Sequence, residues 1–178
     1  MNMAPLETVT AVAHEVVRLS IDTGVSFDDF RISYERAVPS FDIDRFSKLG
    51  SEQVSWETIL AATAENAPHG FIRYWSSDVA SLMRLAGDTG SCTTYLMGNH
   101  TIAQRMYTHN PAVMLYAPLR TVIHEDGQGI CWFSIDQPST RFASFGNPNI
   151  TMVGRELDVK LADLLRFLDI PVPPTLAP

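Results

Sequence analysis

The sequence has few basic residues, no long hydrophobic run and little cysteine, and each shortage argues against a class of protein. It contains 13 Lys and Arg against 20 Asp and Glu in 178 residues, a formal net charge of −7. We therefore expect no nucleic-acid partner, because binding to phosphates needs a basic patch. No apolar run approaches the roughly 18 residues that span a bilayer, so we expect no membrane segment.

Cysteine and glycine usage narrows the expectations further. Cys92 and Cys131 have no metal-type spacing and form no CxxC motif. Because residues 1–7 also lack the pattern of a signal peptide, we predict a protein of the reducing cytoplasm. Neither GxGxxG nor GxxxxGK occurs, which argues against a phosphate-binding glycine loop. HExxH is absent and His100 and His109 fall on different helix faces, so we assign no metal ligand and name no cofactor.

The composition is that of one ordinary globular domain. Apolar residues make up 46% of the chain and charged residues 19%, which is far from the composition of a disordered segment. The length predicts a single domain over residues 1–178. Only the ends, residues 1–9 and 171–178, are expected to be loose, the second because prolines stop the preceding helix.

Hydrophobic periodicity predicts a mixture of strands and helices. Alternation with period two predicts a strand from Val12 to Ile21, and Ser26 is expected to cap a helix that ends before Pro39. Ser55 is expected to cap another helix. Further strands are predicted at 71–75, 92–97, 120–125 and 130–135, further helices from residue 100 and over 153–168, and residues 78–85 fit either type.

These elements predict an α+β fold. Asp126–Gly129 between two alternating segments is a strong hairpin pattern, which indicates antiparallel pairing. Regular βαβ alternation is missing, which argues against a doubly wound sheet. We therefore expect a two-layer sandwich, a mainly antiparallel sheet with helices packed on one face.

Five separated motifs in the second half keep a recognisable order and spacing. They are Gly98-Asn99, Ala103 with Met106, Asn110-Pro111-Ala112, Ala117-Pro118-Leu119-Arg120 and Asp136-Gln137-Pro138. In this pattern the chain resembles the family catalogued as domain of unknown function 302, over about two-thirds of its length. The resemblance implies a small α+β domain with an antiparallel sheet, often paired as a homodimer, and it implies no settled activity.

Two features depart from that family pattern. His100 follows Gly98-Asn99 where family members usually place proline. The family core is also shorter, so residues 40–75 look like an insertion. Both departures leave room for a role beyond that of a minimal family member.

The predicted hairpin holds one candidate catalytic pair. If its loop is the two residues Gly127–Gln128 or the four residues Asp126–Gly129, then His124 lies opposite Cys131, whereas a three-residue loop would break that pairing. An imidazole beside a thiol can take its proton and leave a thiolate nucleophile. The alternative is a buried thiol that packs as a small hydrophobic group. In that register Val122, Phe133 and Ile135 share the face of the pair.

The predicted turn from strand to helix at residue 98 is a candidate ligand site. Gly98, Asn99, His100 and Thr101 stand where backbone N–H groups at a helix start can hold a carboxylate or a phosphate. Arg120, at the start of a neighbouring strand, is the candidate charge partner. The alternative is that Asn99 is simply the helix cap.

Trp132 is expected on the outer face of the hairpin, together with Ile123 and Ile130. An apolar outer face needs a cover, which either the insertion or a second subunit would supply. We expect a non-enzymatic, small-molecule-binding or sensor-like homodimer, with a small anionic or apolar ligand. The alternatives are an enzyme that uses Cys131 with His124, and a structural dimerisation module.

Overall fold

A five-stranded antiparallel sheet carries the fold. The structure is a computed structural model that describes residues 9–176. The strand order is β1-β5-β4-β3-β2, and every neighbouring pair is antiparallel. The expected α+β class is confirmed. The strands are β1 (Arg18–Asp22), β2 (Ile72–Asp78), β3 (Cys92–Gly98), β4 (Leu119–Glu125) and β5 (Cys131–Asp136).

Helices fill the connections between the strands. Ser26 and Ser55 cap the first and third helices, as their position before an apolar stripe predicts. Residues 78–85, which fitted either type, form the end of β2, a short helix and a 3-10 turn. The helices are α1 (Phe27–Ala37), α2 (Ile43–Ser51), α3 (Trp56–Asn66), α4 (Ala80–Met83), α5 (His100–Tyr107), α6 (Pro138–Phe142) and α7 (Pro148–Phe167).

One face of the sheet is buried under helices. Alternate residues of β4 and β5 point into the core, where Phe133 lies 6.0 Å from the Phe30 ring and 5.6 Å from the Tyr34 ring of α1. The residues between them are half-buried or exposed. We call the side that they form the open face; its members are Trp75, Cys92, Thr94, Leu96, Arg120, Val122, His124, Trp132, Ser134 and Asp136, with Arg18, Ser20 and Asp22 of β1.

The first strand is shorter than the sequence predicts. β1 covers only Arg18–Asp22, because its partner β5 offers pairing only from Asp136 back to Trp132. Residues 12–17 alternate in polarity, but they belong to no strand of the sheet. Val12 is accordingly 62% exposed and not buried as a strand residue would be. The predicted start at Val12 is therefore wrong.

The hairpin register also differs from the prediction. Glu125 pairs with Cys131, and Asp126 N–H donates to the Ile130 carbonyl at 3.0 Å, so the loop has three residues, 127–129. The Asp126 carboxylate accepts from the amides of residues 128 and 130 and holds the loop in this shape. His124 consequently pairs with Trp132 on the open face, while Cys131 lies in the core.

The same shift moves two neighbours between faces. Val122 pairs with Ser134 on the open face, whereas Ile123 pairs with Phe133 and is fully buried. The expected grouping of Val122 with Phe133, and of Ile123 with Trp132, is therefore wrong. A one-residue change of register reverses every side chain of a strand, which accounts for both errors together.

The C-terminal segment packs on the domain instead of hanging loose. Pro174–Leu176 forms a 3-10 turn, and Leu176 is 1% exposed. The Gln137 side-chain amide donates to the Thr175 carbonyl at 3.1 Å. The prolines do end the helical path, but the chain then folds back, so residues 171–176 are not a tail. The remaining expected loose ends, 1–8 and 177–178, lie outside the described residues.

Candidate functional site

A cavity of about 230 Å³ opens where β3 turns into α5. Its walls come from β2, the end of β3, one face of α5, the segment that leads into β4, α6 and α7. Most of its lining is apolar, and its polar groups lie at the rim. The lining residues are Tyr74, Gly98, Asn99, His100, Ile102, Ala103, Met106, Met114, Ala117, Pro118, Leu119, Phe142 and Leu157.

Gly98 forms the tight corner of this cavity. A Cβ atom at residue 98 would lie 3.4 Å from Pro118 and 3.7 Å from the Tyr74 ring. These are ordinary van der Waals distances, so β3 and the start of β4 meet closely at this corner without excluding a Cβ atom.

His100 at the rim is hydrogen-bonded through both ring nitrogens. Nε2 lies 2.7 Å from the Thr63 hydroxyl, and Nδ1 lies 2.8 Å from the Tyr74 hydroxyl. The Thr63 hydroxyl donates its hydrogen to the Ile59 carbonyl at 2.7 Å, so Nε2 must carry the imidazole proton. The Tyr74 hydroxyl accepts from the His100 backbone N–H at 3.1 Å and donates to Nδ1. In the neutral imidazole this arrangement defines the tautomer, with the proton on Nε2 and Nδ1 as acceptor.

Burial keeps this pair of residues uncharged. It lowers the pKa of His100 below its ordinary value, and it raises the pKa of Tyr74 to about 12. The Phe46 ring of α2 meets the imidazole edge-on, with centroids 4.9 Å apart, and the Phe41 ring lies 5.1 Å from Tyr74. These aromatic contacts contribute to the partial burial of Tyr74 and His100.

Asn99 is the N-cap of α5. Its Oδ1 accepts from the Thr101 amide at 3.0 Å, the Thr101 hydroxyl at 2.7 Å and the Ile102 amide at 3.3 Å, while Nδ2 donates to the Gly70 carbonyl at 3.1 Å. The remaining first-turn amides also have partners, since His100 N–H bonds Tyr74 and Ala103 N–H bonds the Asn99 carbonyl. No backbone amide of the helix start is left for an anion, so the capping interpretation describes it.

Arg120 does not reach this cavity. It pairs with Leu96 on the open face, where it borders an adjoining recess of about 370 Å³ beside Asp136 and Arg141. The structure therefore brings together Gly98, Asn99, His100 and the hydrogen-bonded Thr101, and it leaves Arg120 on the other side of the sheet. The strand pairing that separates them was not visible in the sequence.

The proposed Cys131–His124 pair is not formed. Cys131 is 2% exposed in the core, and burial raises the pKa of its thiol. His124 lies opposite Cys92 on the open face, where burial and the nearby Asp78 carboxylate raise the pKa of the Cys92 thiol. Both thiols are held in the protonated form, which is a poor nucleophile. Within residues 9–176, no three His, Cys, Asp or Glu side chains cluster so that they could hold a metal ion.

Sequence reasoning missed the partners of His100 and most of the cavity wall. Thr63 and Tyr74 are distant in sequence and meet His100 only because β2 pairs with β3 and α3 packs near α5. The one sequence feature that bears on the cavity is the pair of Gly98 and Pro118, since the small residue and the proline meet at its corner.

Comparison with known proteins places this fold in a family. The family model described as "Domain of unknown function DUF302" matches residues 49–168. The chain belongs to the DUF302 family. The resemblance seen in the sequence motifs is thereby confirmed. No curated protein sequence matches this DUF302 protein.

A solved DUF302 structure shares the fold. It is the uncharacterized conserved protein DUF302 from Bacillus stearothermophilus, with a TM-score of 0.61 and 14% identity, covering 85% of this chain and 97% of that chain. At this identity the likeness concerns the fold alone. The insertion expected over residues 40–75 stays a prediction. Most of it, residues 49–75, lies inside the family match, and residues 72–75 form part of the sheet as β2.

No helix within the described part of this DUF302 protein has both the length and the hydropathy needed to cross a bilayer.

Proposed function

We propose that this DUF302 protein is a non-enzymatic binding domain that takes a small, uncharged, apolar molecule in the cavity beside His100. The observation that carries the proposal is the open cavity of about 230 Å³ with an apolar lining. A dry apolar cavity of roughly 150 Å³ is large enough to bind benzene. The cavity beside His100 therefore has room for one ring with substituents, or for a short branched chain.

The state of the polar rim favours a neutral ligand over an anionic one. The first-turn amides of α5, the Nε2–H of His100 and the Tyr74 hydroxyl already donate within the chain, which leaves the second N–H of the Asn99 side-chain amide. A carboxylate placed in the cavity would lose its hydration and gain at most this one donor, which is costly. Of the two ligand types that we considered from the sequence, the apolar one fits this cavity.

A matched pair of probes tests the proposal. Methyl benzoate and benzoate share a ring but differ in charge. At neutral pH only the neutral ester is expected to bind the folded protein and so to raise its melting temperature. Ala103→Phe, which places a ring in the cavity, should abolish that shift. Gln104→Phe, at the neighbouring exposed position of α5, is the control and should keep it.

Two results would contradict the proposal. One is the absence of any shift with methyl benzoate and other neutral probes of similar size, such as indole and cyclohexanol. The other is a shift of equal size in Ala103→Phe, which would place the binding elsewhere.

We also propose that the protein assembles as a homodimer through the open face. Trp75 is 49% exposed there, and the half-buried Leu96, Val122 and Trp132 continue the apolar surface across the sheet. Arg18, Arg120 and Arg141 lie at one end of the strands with the carboxylate of Asp136, and Asp22 and Asp126 lie at the other end. A two-fold axis across the strands would set the basic end of one copy against the acidic end of the other.

Light scattering tests this interface. The wild-type chain should have the mass of two copies, and Trp132→Asp should have the mass of one. Trp56→Asp is the control, because Trp56 is 43% exposed on α3, away from the open face. A monomeric wild-type protein, or an unchanged dimer in Trp132→Asp, would contradict this interface.

A further inference from the structure

A second cleft of about 410 Å³ lies between α1 and α4, above the ends of β2 and β3. It shares no lining residue with the cavity beside His100. Its walls are polar: Arg31 and Glu35 project from α1, while Asp78 and Arg84 lie on the opposite side. The buried Thr93 forms part of its floor. The lining of this cleft is thus opposite in character to that of the apolar cavity.

Opposite charges face one another in this cleft without direct hydrogen bonds. The separations are 3.5 Å for Arg31–Glu35 and 3.8 Å for Arg84–Asp78. Charge-assisted hydrogen bonds are typically about 2.7–2.9 Å long, and the Arg105–Glu156 pair of this chain reaches 2.6 Å. The guanidinium donors around the cleft are therefore not used up by its carboxylates. The other two separations are 3.5 Å for Arg31–Asp28 and 3.6 Å for Arg73–Glu35.

Glu35 is held in place from below. The hydroxyl of the fully buried Tyr95 donates to Glu35 Oε1 at 3.0 Å, and the Tyr95 ring packs 4.9 Å from the Tyr34 ring. Behind Glu35, the Nε atom of Arg73 is buried without a hydrogen-bond partner. A carboxylate fixed in this way loses little freedom when it binds a ligand, which favours binding.

The charges in and behind the cleft balance. Three guanidinium groups stand against three carboxylates, namely Arg31, Arg73 and Arg84 against Asp28, Glu35 and Asp78. A ligand with a single charge would be attracted by the groups of opposite charge and repelled by the groups of like charge. A ligand that carries both charges can contact both sets at once, and this complementarity selects it over single ions.

We propose that this cleft binds a small zwitterion of the free amino acid type. Its ammonium group would be held by the carboxylates of Glu35 and Asp78, and its carboxylate by the guanidinium groups of Arg31 and Arg84. The side chain of the ligand would face the opening of the cleft. This site is separate from the apolar cavity and does not depend on the function proposed for it.

Isothermal titration calorimetry on the whole chain tests the proposal. The probes are glycine, L-alanine and L-serine as zwitterions, with acetate and ethylammonium as the matched single ions. We expect at least one amino acid to bind and each single ion to bind at least about tenfold more weakly, because it loses one charged contact. Glu35→Gln and Arg84→Gln should each weaken the amino acid by about tenfold or more, for the same reason.

Two control variants make the test specific. Arg166→Gln removes a guanidinium that pairs with Asp163 on α7, far from the cleft in the sequence and outside its lining, and it should bind as the wild type does. Ala103→Phe, which blocks the apolar cavity, should also bind the amino acid normally. Circular dichroism checks that each variant is folded. Arg84 lies in the exposed turn after α4, so its replacement should not disturb the core.

Three results would overturn the proposal. The first is no binding of any of the three amino acids to the wild-type protein. The second is wild-type affinity in both Glu35→Gln and Arg84→Gln. The third is equal affinity for acetate or ethylammonium, which would show attraction to one charge and not recognition of two.

Discussion

At the scale of single residues, His100 joins three elements that are separate in sequence. Its ring contacts Thr63 of α3 and Tyr74 of β2, and its backbone begins α5. The single hydrogen of the Thr63 hydroxyl goes to the Ile59 carbonyl, which places a ring proton on Nε2. Burial lowers the pKa of His100 and so favours the neutral imidazole at the cavity rim.

Stability should depend on pH through His100. Because burial lowers its pKa in the folded state, the unfolded chain takes up the proton first as the pH falls through the ordinary histidine value of 6.5. The contribution is complete above that value and is lost towards lower pH. We expect the free energy of unfolding, measured with urea, to fall between about pH 7 and pH 5 more steeply in the wild type than in His100→Gln.

Exposed His109 supplies the control for that measurement. His109→Gln should keep the wild-type slope, because this side chain is exposed and lies two residues after the end of α5. Parallel curves for the wild type and His100→Gln would show that the neutral imidazole is not required for the folded state.

The two thiols should differ in their reaction with iodoacetamide. Cys131 is in the core and should stay unmodified near neutral pH until the protein unfolds. Cys92 is half-buried, and its raised pKa predicts slow modification that speeds up as the pH rises, since the thiolate is the reactive form. Peptide mass spectrometry at several times distinguishes the two sites. Rapid modification of Cys131 in the native protein would contradict the register of the hairpin.

At the scale of elements, local sequence patterns predict where a helix starts when a single residue type determines the geometry. Ser26, Ser55 and Asn99 each accept a backbone amide at the start of a helix, as their side chains allow. The hairpin was also predictable, but its loop length was not. Asp126 selects three residues over two or four through two side-chain bonds that the alternation pattern does not contain.

Gly129 should be required for this loop. Its φ of +77° is a left-handed conformation, and nothing lies within 4 Å of where a Cβ would be, so Gly129→Ala meets backbone strain alone. We expect a loss of about 1 kcal/mol in the free energy of unfolding, measured by urea denaturation. Gly127→Ala is the matched control, since it has equal space and no positive φ, and it should change stability by less than about 0.5 kcal/mol. Equal losses in the two variants would contradict a specific role for the left-handed residue.

At the scale of the whole molecule, the fold class followed from the sequence and the cavity did not. Alternating strands, a hairpin and amphipathic helices identify an α+β sandwich, because each hydrophobic pattern shows the type of element and which of its faces is buried. The cavity needs Met114, Phe142 and Leu157 to meet α5, and these residues come from three other segments. Only the packing of α5, α6 and α7 brings them together, so a candidate set drawn from neighbouring motifs contained the Gly98–His100 corner but also Arg120, and it omitted the remaining walls.

The C-terminal segment is part of the folded domain. Three prolines in residues 171–174 suggested a loose end, yet Leu176 is 1% exposed and Thr175 accepts a hydrogen bond from Gln137, whose amide also donates to the buried Asp158 at 2.7 Å. Leu176→Ala should therefore lower the free energy of unfolding by about 2–4 kcal/mol, as expected for a buried leucine. Leu85→Ala, at a residue that is 85% exposed, should change it by less than about 0.5 kcal/mol. Equal stability of the two variants in urea would show that residues 171–176 do not belong to the folded domain.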